Sequence, residues 1–176
     1  MSRYAPVALL DSRHETGSFD CGSEQQANWL RRHALTAQQA RTARVYVACR
    51  TDATEVIGYY ALSAGQVLPP DATRRLAKGT SRHPIPIVVL GRLGVDVREQ
   101  GRGLGAALVR DAFQRVVRAA STIGVRGLVI HAETSKAAEF YRRLDPAFES
   151  LPTDALDLVL LVKDIEASVH RAASGG

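Results

Sequence analysis

Seven consecutive residues, Gln100 to Ala106 (QGRGLGA), hold glycines at alternate positions, Gly101, Gly103 and Gly105. Without side chains in the way, successive main-chain N–H groups can converge on one point. The helix-period stretch that follows, with Leu108, Val109, Ala112, Val116 and Ala119 on one stripe, would aim the positive end of a helix at the same place. Such a turn suits an anion, above all a pair of phosphates. Two familiar phosphate loops do not fit. The string matches GxGxxA, but a dinucleotide fold wants the motif after its first strand and an acid about 20 residues on, and Val125 and its neighbours supply none. A P-loop needs Gly-Lys followed by Ser or Thr, which is absent. Taken alone, the turn also remains compatible with a tight strand-to-helix connection.

Other chemistry is limited by what the chain carries. Cys21 and Cys49 lie far apart with no CxxC pair, and His33, His83 and His131 have no spacing suited to a metal, so neither a disulfide framework nor a metal site is implied and a reducing cytoplasm fits best. The N-terminal apolar run is too short for a signal-peptide core or a membrane span, so the chain reads as soluble. The net charge of +5 is carried by 20 arginines and 3 lysines against 18 acids. It is uneven: residues 1–126 hold 18 basic and 10 acidic side chains, residues 127–176 only 5 and 8. A positive first two thirds favours an anionic partner, and arginine grips phosphate bidentately.

The elements that must position these groups alternate between β and α. Residues 23–43 have helical spacing at Trp29, Leu30, His33, Ala34 and Ala37, with Ser23 and Gln26 arranged as a capping box. Residues 44–50 and 55–67 read as a hairpin. A basic, proline-bearing stretch at 69–86 reads as a loop or short helix before a strand at 87–96. The glycine turn then leads into a helix over 106–124, a strand over 126–133, a helix over 135–144 and a strand over 155–165, with a frayed tail at about 167–176. The expected class is α/β in a single domain spanning 1–176, a size that buries an adequate core.

With these elements in place, QGRGLG resembles motif A of the GCN5-related N-acetyltransferases (GNAT): Gln100, Gly103 and Gly105 match its pattern. LGRLGVD stands where that family has its fourth strand, and IHAETSKAAEFYRRL where its fifth strand and next helix bring a tyrosine to the thioester. The resemblance implies the GNAT fold, a central mixed, mostly antiparallel β-sheet flanked by helices, and acetyl-CoA as cofactor. It implies that Gly101, Arg102, Gly103, Leu104, Gly105 and Ala106 hold the pyrophosphate behind Gln100, and that Leu93, Gly94 and Val95 pair with the pantetheine arm. Thr134 stands where many members carry an asparagine that contacts that arm. The segments FDCGSEQQANWLRRHAL, VIGYYALSAGQV, LGRLGVD and AEFYRRL together are similar to the acetyltransferase toxins of bacterial type II toxin–antitoxin pairs. That narrower resemblance implies acetylation of the amino group of an aminoacyl-tRNA, a block on translation, a ribbon-helix-helix (DUF1778-type) antitoxin and a homodimer. RRLDPAF replaces the usual Leu-Gly-Phe ending after the tyrosine, which predicts a longer loop behind that helix.

The reaction needs a free amine, a stabilised oxyanion and a proton for the departing thiolate. An α-amino group titrates near 8, so part of it is free base at neutral pH without a strong protein base. Tyr141 is the general-acid candidate, with Phe140 beside it in the core; a main-chain N–H near Gly94 or Val95 is the oxyanion donor, and Asp96 and Glu133 are candidate water relays. Arg31, Arg32, Arg74, Arg75, Lys78, Arg82 and Arg92 are the cations placed to meet tRNA phosphates. Tyr59 and Tyr60 point to opposite faces of their strand, so one would line the aminoacyl pocket while the other joins the core. Two other readings stay open on the sequence: an acetyltransferase for a protein amine or polyamine, and a CoA-binding interaction module without turnover.

Overall fold

The computed structural model describes residues 2–80 and 82–176. Seven strands lie in the order β1-β2-β3-β4-β5-β7-β6. They are β1 (Ala8–Leu9), β2 (Arg44–Cys49), β3 (Val56–Val67), β4 (Ile85–Val95), β5 (Gly127–His131), β6 (Glu149–Leu151) and β7 (Asp154–Leu161). Six helices accompany them: α1 (Glu24–Arg32), α2 (Ala34–Ala40), α3 (Arg74–Ala77), α4 (Leu104–Ala120), α5 (Ser135–Leu144) and α6 (Val162–Ser174). This is the mixed α/β sheet that the sequence implies. β2 and β3 form the expected antiparallel hairpin, Tyr46 opposite Tyr60. β4 and β5 are parallel, Ile87 opposite Gly127 through Leu90 opposite Ile130; β5–β7 and β6–β7 are antiparallel.

The chain divides into two compact units, Met1–Ser63 with Gly91–Ala112, and Ala64–Leu90 with Phe113–Gly176. The first is built on the hairpin. Val45, Val47, Cys49, Tyr59 and Ala61 turn one strand face toward Ala27, Leu30 and Ala34 of α1 and α2, and Phe19 closes the cluster. Tyr59 stacks on Trp29 with ring centroids 6.0 Å apart and meets Phe19 edge-on at 5.5 Å, geometries that aromatic quadrupoles favour. In the second unit Val129, Val159 and Leu161 pack with Ile85, Ile87, Val67 and Leu76, the last held on α3 by its N-cap Thr73.

Several boundaries differ from the sequence reading. The single helix expected over 23–43 is two, because His33 leaves helical geometry at φ −122°. Ser23 does cap α1 by accepting from the Gln26 N–H. α4 begins at Leu104, two residues earlier than its apolar stripe suggests, which puts Gly105 inside the first turn. β1 and β6 are too short to show a period. The final strand stops at Leu161; the next residues, with Ile165 fully buried, form α6 as far as Ser174 rather than extending the strand into a frayed tail. The loop behind α5 is not long: Asp145–Phe148 turns directly into β6, the Phe148 N–H donating to the Asp145 carbonyl.

Candidate active site

The end of β4 is fixed by charges that the core of the first unit encloses. Asp96 is fully buried; its Oδ1 accepts from the Arg98 main chain at 3.0 Å and Nε at 2.7 Å, and its Oδ2 from the Asp20 N–H at 3.2 Å. Burial alone would raise its pKa, but these bonds outweigh it and hold the carboxyl below its usual range. Glu99, also fully buried, accepts from the Tyr4 hydroxyl at 2.8 Å and from Arg3 and Arg50. Burial opposes its ionisation too, yet the bonds from Tyr4, Arg50 and Arg3 pull it down to about 2. Gln100 folds back: its side-chain amide donates to the carbonyls of Val95 and Cys21 at 2.9 and 3.0 Å. Motif A's glutamine therefore stitches the turn together through its side-chain NH2 group.

Past this knot the chain swings through Gly101 (φ 74°) and Gly103 (φ 84°), a region costly for side-chain-bearing residues. A Cβ at either would meet nothing within 4 Å, so the space beside the turn is open. Among the described residues the N–H groups of 101–106 donate to no protein acceptor, the first cap bond of α4 running from Ala107 to the Gly103 carbonyl. Gly101, Arg102, Gly103, Leu104, Gly105 and Ala106 thus present free donors at the positive end of a 17-residue helix, which fits a diphosphate. Arg102 adds a half-exposed guanidinium 3.9 Å from Glu99.

Upstream, Leu93, Gly94 and Val95 are the last residues of β4. Glycine suits position 94: a Cβ would come within 3.2 Å of both Cys21 Sγ and the Tyr59 ring, tighter than ordinary contact. Tyr59 and Tyr60 are both fully buried. Tyr59 donates to the Gln26 carbonyl at 2.7 Å and Tyr60 to Asp111. Neither therefore lines an open pocket, contrary to the expectation for one of them. Asp96, saturated and enclosed, is no water relay; Glu133 is exposed.

In the second unit α5 carries Tyr141 on its inner face, 5% exposed. Its ring meets Phe140 edge-on at 5.2 Å and Phe148 at 6.3 Å, and Phe148 in turn touches Phe113. Its hydroxyl makes no hydrogen bond among the described residues, and burial pushes the phenol above its usual range. It is protonated at neutral pH and free to donate. Thr134 is the N-cap of α5, its hydroxyl accepting from the Ala137 N–H at 3.1 Å, so its first task is to start the helix. Sequence reasoning passed over one further pair. His131 Nδ1 is 2.5 Å from Asp157 Oδ1; the two are 26 positions apart and only the β5–β7 register unites them.

The basic residues divide. Arg31 donates to the Phe19 carbonyl and Glu24, Arg75 to Asp164 and Glu149, and the Arg92 guanidinium lies 5.4 Å above the Trp29 ring. These three hold the fold. Arg32, Arg74, Lys78 and Arg82 are exposed, with no ion pair among the described residues. No cluster of three or more His, Cys, Asp or Glu side chains that could hold a metal occurs among the described residues, and no helix there is long and apolar enough to cross a membrane.

An amide-lined turn between a central strand and a long helix, followed by a parallel strand and a tyrosine-bearing helix, defines an acyl-CoA transferase architecture. The chain belongs to the Acetyltransferase (GNAT) family, whose profile matches residues 9–145. It is 40% identical over 169 residues to the tRNA-acetylating toxin of Mycobacterium tuberculosis (strain ATCC 25618 / H37Rv), covering 96% of this chain and 99% of that one. Among solved structures it is similar to AtaT complexed with acetyl-methionyl-tRNAfMet, with a TM-score of 0.84 and 31% identity over 93% of this chain and 98% of that one. It is also similar to a tyrosine-to-phenylalanine variant of AtaT bound to acetyl-CoA and the C-terminus of the antitoxin AtaR. There the TM-score is 0.80 with 29% identity, over 94% of this chain and 98% of that one.

Proposed function

We propose that this protein is a toxin-type N-acetyltransferase that moves an acetyl group from acetyl-CoA to the amino group of an aminoacyl-tRNA, blocks translation, and is neutralised by a cognate antitoxin. The observation that carries the reading is the amide-lined turn at 101–106 within a chain that aligns end to end with a tRNA-acetylating toxin. Bound acetyl-CoA supplies an activated acyl group whose leaving atom is sulfur.

The chain's own residues do the rest. Main-chain N–H groups of 101–106 hold the diphosphate, and Leu93–Val95 offer main-chain groups to the pantetheine arm. An N–H at Gly94 or Val95 stabilises the negative charge that grows on the acetyl oxygen. Tyr141 donates its hydrogen bond to the sulfur as charge develops there. Its high pKa makes outright proton loss costly, so the proton moves only as another returns from the attacking nitrogen. Arg32, Arg74, Lys78 and Arg82 meet tRNA phosphates; such contacts position RNA without reading its sequence. Residues 1–176 act as one acetyltransferase domain, as a homodimer in the cytoplasm, and the antitoxin is of the ribbon-helix-helix class.

The test is to incubate the purified protein with labelled acetyl-CoA and, separately, total charged tRNA, peptides and polyamines. Label on the aminoacyl group of tRNA is the expected result. Label on peptides or polyamines alone would replace the acceptor, and no transfer to any amine would leave only a CoA-binding module.

A further inference from the structure

β5 is buried from Gly127 to Ile130 and exposed at its last residue, His131. Its ladder with β4 ends at Leu90 opposite Ile130. His131 is therefore the first residue of β5 beyond the point where the two parallel strands cease to pair, and in open α/β sheets ligands gather at the carboxyl ends of strands. On the other side the strand stays paired, with His131 opposite Asp157 of β7. The imidazole is 52% exposed and the carboxylate 24%.

A carboxylate can only accept, so Nδ1 is the donor in the 2.5 Å contact and Nε2 is left outside it. A carboxylate in this position fixes the tautomer and steadies the imidazolium that forms when Nε2 takes a proton. The two-residue period of the strands places His131 and Asp157 on the face of Val129, Val159 and Leu161, which pack with Leu76. Tyr141 belongs to a different packing group, with Phe140 and Phe148.

We propose that His131 Nε2 is the general base that takes a proton from the α-ammonium of the acceptor, with Asp157 as its positioning residue. The proposal rests on the reading of the protein as an aminoacyl-tRNA acetyltransferase. An ammonium has no lone pair to attack with. Transfer of one proton to Nε2 frees it; the nitrogen then bonds to the acetyl carbon while the carbon–sulfur bond breaks and its electron pair stays on sulfur. The second proton leaving nitrogen replaces the one that Tyr141 passes to sulfur, and the imidazolium releases its own to water. Asp157 across the ladder is the charged group facing the ring, and Glu133 follows two residues on along the chain.

The test compares wild type with His131→Ala and Asp157→Asn in acetyl transfer to charged tRNA and to an amino-acid methyl ester, between about pH 6 and pH 9.5, with CoA binding followed by calorimetry. His131→Ala should lose up to about tenfold in kcat near pH 7, because an amine that titrates near 8 is then only about one-tenth free base without help. Its KM for acetyl-CoA and its CoA affinity should stay within about twofold of wild type. The deficit should close toward pH 9.5, where the amine, with a pKa of about 8 or below, is already free base, and added imidazole should restore part of the rate. Asp157→Asn should show a smaller loss that closes in the same way. Equal rates near pH 7 with an active wild type would overturn the base alone. So would a deficit constant across pH and untouched by imidazole. A wild type inactive toward every amine would overturn the acetyltransferase reading and the base with it.

Discussion

The turn at residues 96–106 and the end of α5 treat polar atoms in opposite ways. In the turn each buried charge is answered: Glu99 by Tyr4, Arg3 and Arg50, and Asp96 by Arg98 and the Asp20 N–H. At α5 the Tyr141 hydroxyl donates to nothing among the described residues, and Asp145 Oδ2 is buried without a hydrogen bond, 4.0 Å from Arg171. The first region answers its buried charges within the fold and offers a ligand main-chain amides beside the half-exposed Arg102 guanidinium. The second leaves a side-chain bond to be made by whatever arrives. A clasp is best rigid beforehand, whereas a proton donor must not already be occupied.

Gly103→Val should break the contrast most severely. A β-branched residue at φ 84° costs about 1–3 kcal/mol and re-aims the amides beside it. CoA affinity should fall on the order of a hundredfold by calorimetry; an unchanged Kd would mean that the turn does not hold the diphosphate. Next in size, Tyr141→Phe should cut turnover at least about tenfold. Its melting temperature should stay within about 2 °C of wild type and CoA affinity should hold, because the missing oxygen makes no hydrogen bond among the described residues. Turnover equal to wild type would remove the hydroxyl from the chemistry.

The smallest effect is expected from Glu99→Gln, which sharpens the other side of the comparison. Glu99 is depressed in the fold from about 4.5 to about 2. Its stabilisation is therefore present in full above about pH 4.5 and is lost as pH falls through that window toward 2. Unfolding free energies from urea titration should be lower for the variant at neutral pH by roughly 1–2 kcal/mol. They should also decline less steeply below pH 4.5, Asp96 retaining its own share of the slope. Parallel acid profiles for the two proteins would show that Glu99 does not carry this charge in the fold.

What the sequence reveals follows the same division. The clasp is made of neighbours, Gln100 to Ala106, so its composition and its place between a strand and a helix are visible in one string. The order of strands and helices is legible wherever a period runs for several residues. β1 and β6 are too short for that, and the β-branched residues of VKDI imitate a strand although the burial of Ile165 belongs to a helix. Side-chain partners are what a string cannot show. Arg31 and Arg75 carry the same charge as Arg32 and Arg74, yet the former pair are bound into the fold and the latter are not. Tyr59 and Tyr60 alternate as a strand requires, and helices and loops nevertheless cover both. The His131–Asp157 contact exists only through strand register, and no spacing along the chain announces it.

The unpartnered hydroxyl on α5 separates shape from action. On the proposed mechanism, a chain lacking that single oxygen would keep the fold and the surface it presents to its neighbours while transferring acetyl far more slowly. It would compete with the active protein for every partner they share. On that mechanism, a slowed decoy of this protein is one atom away from the working one.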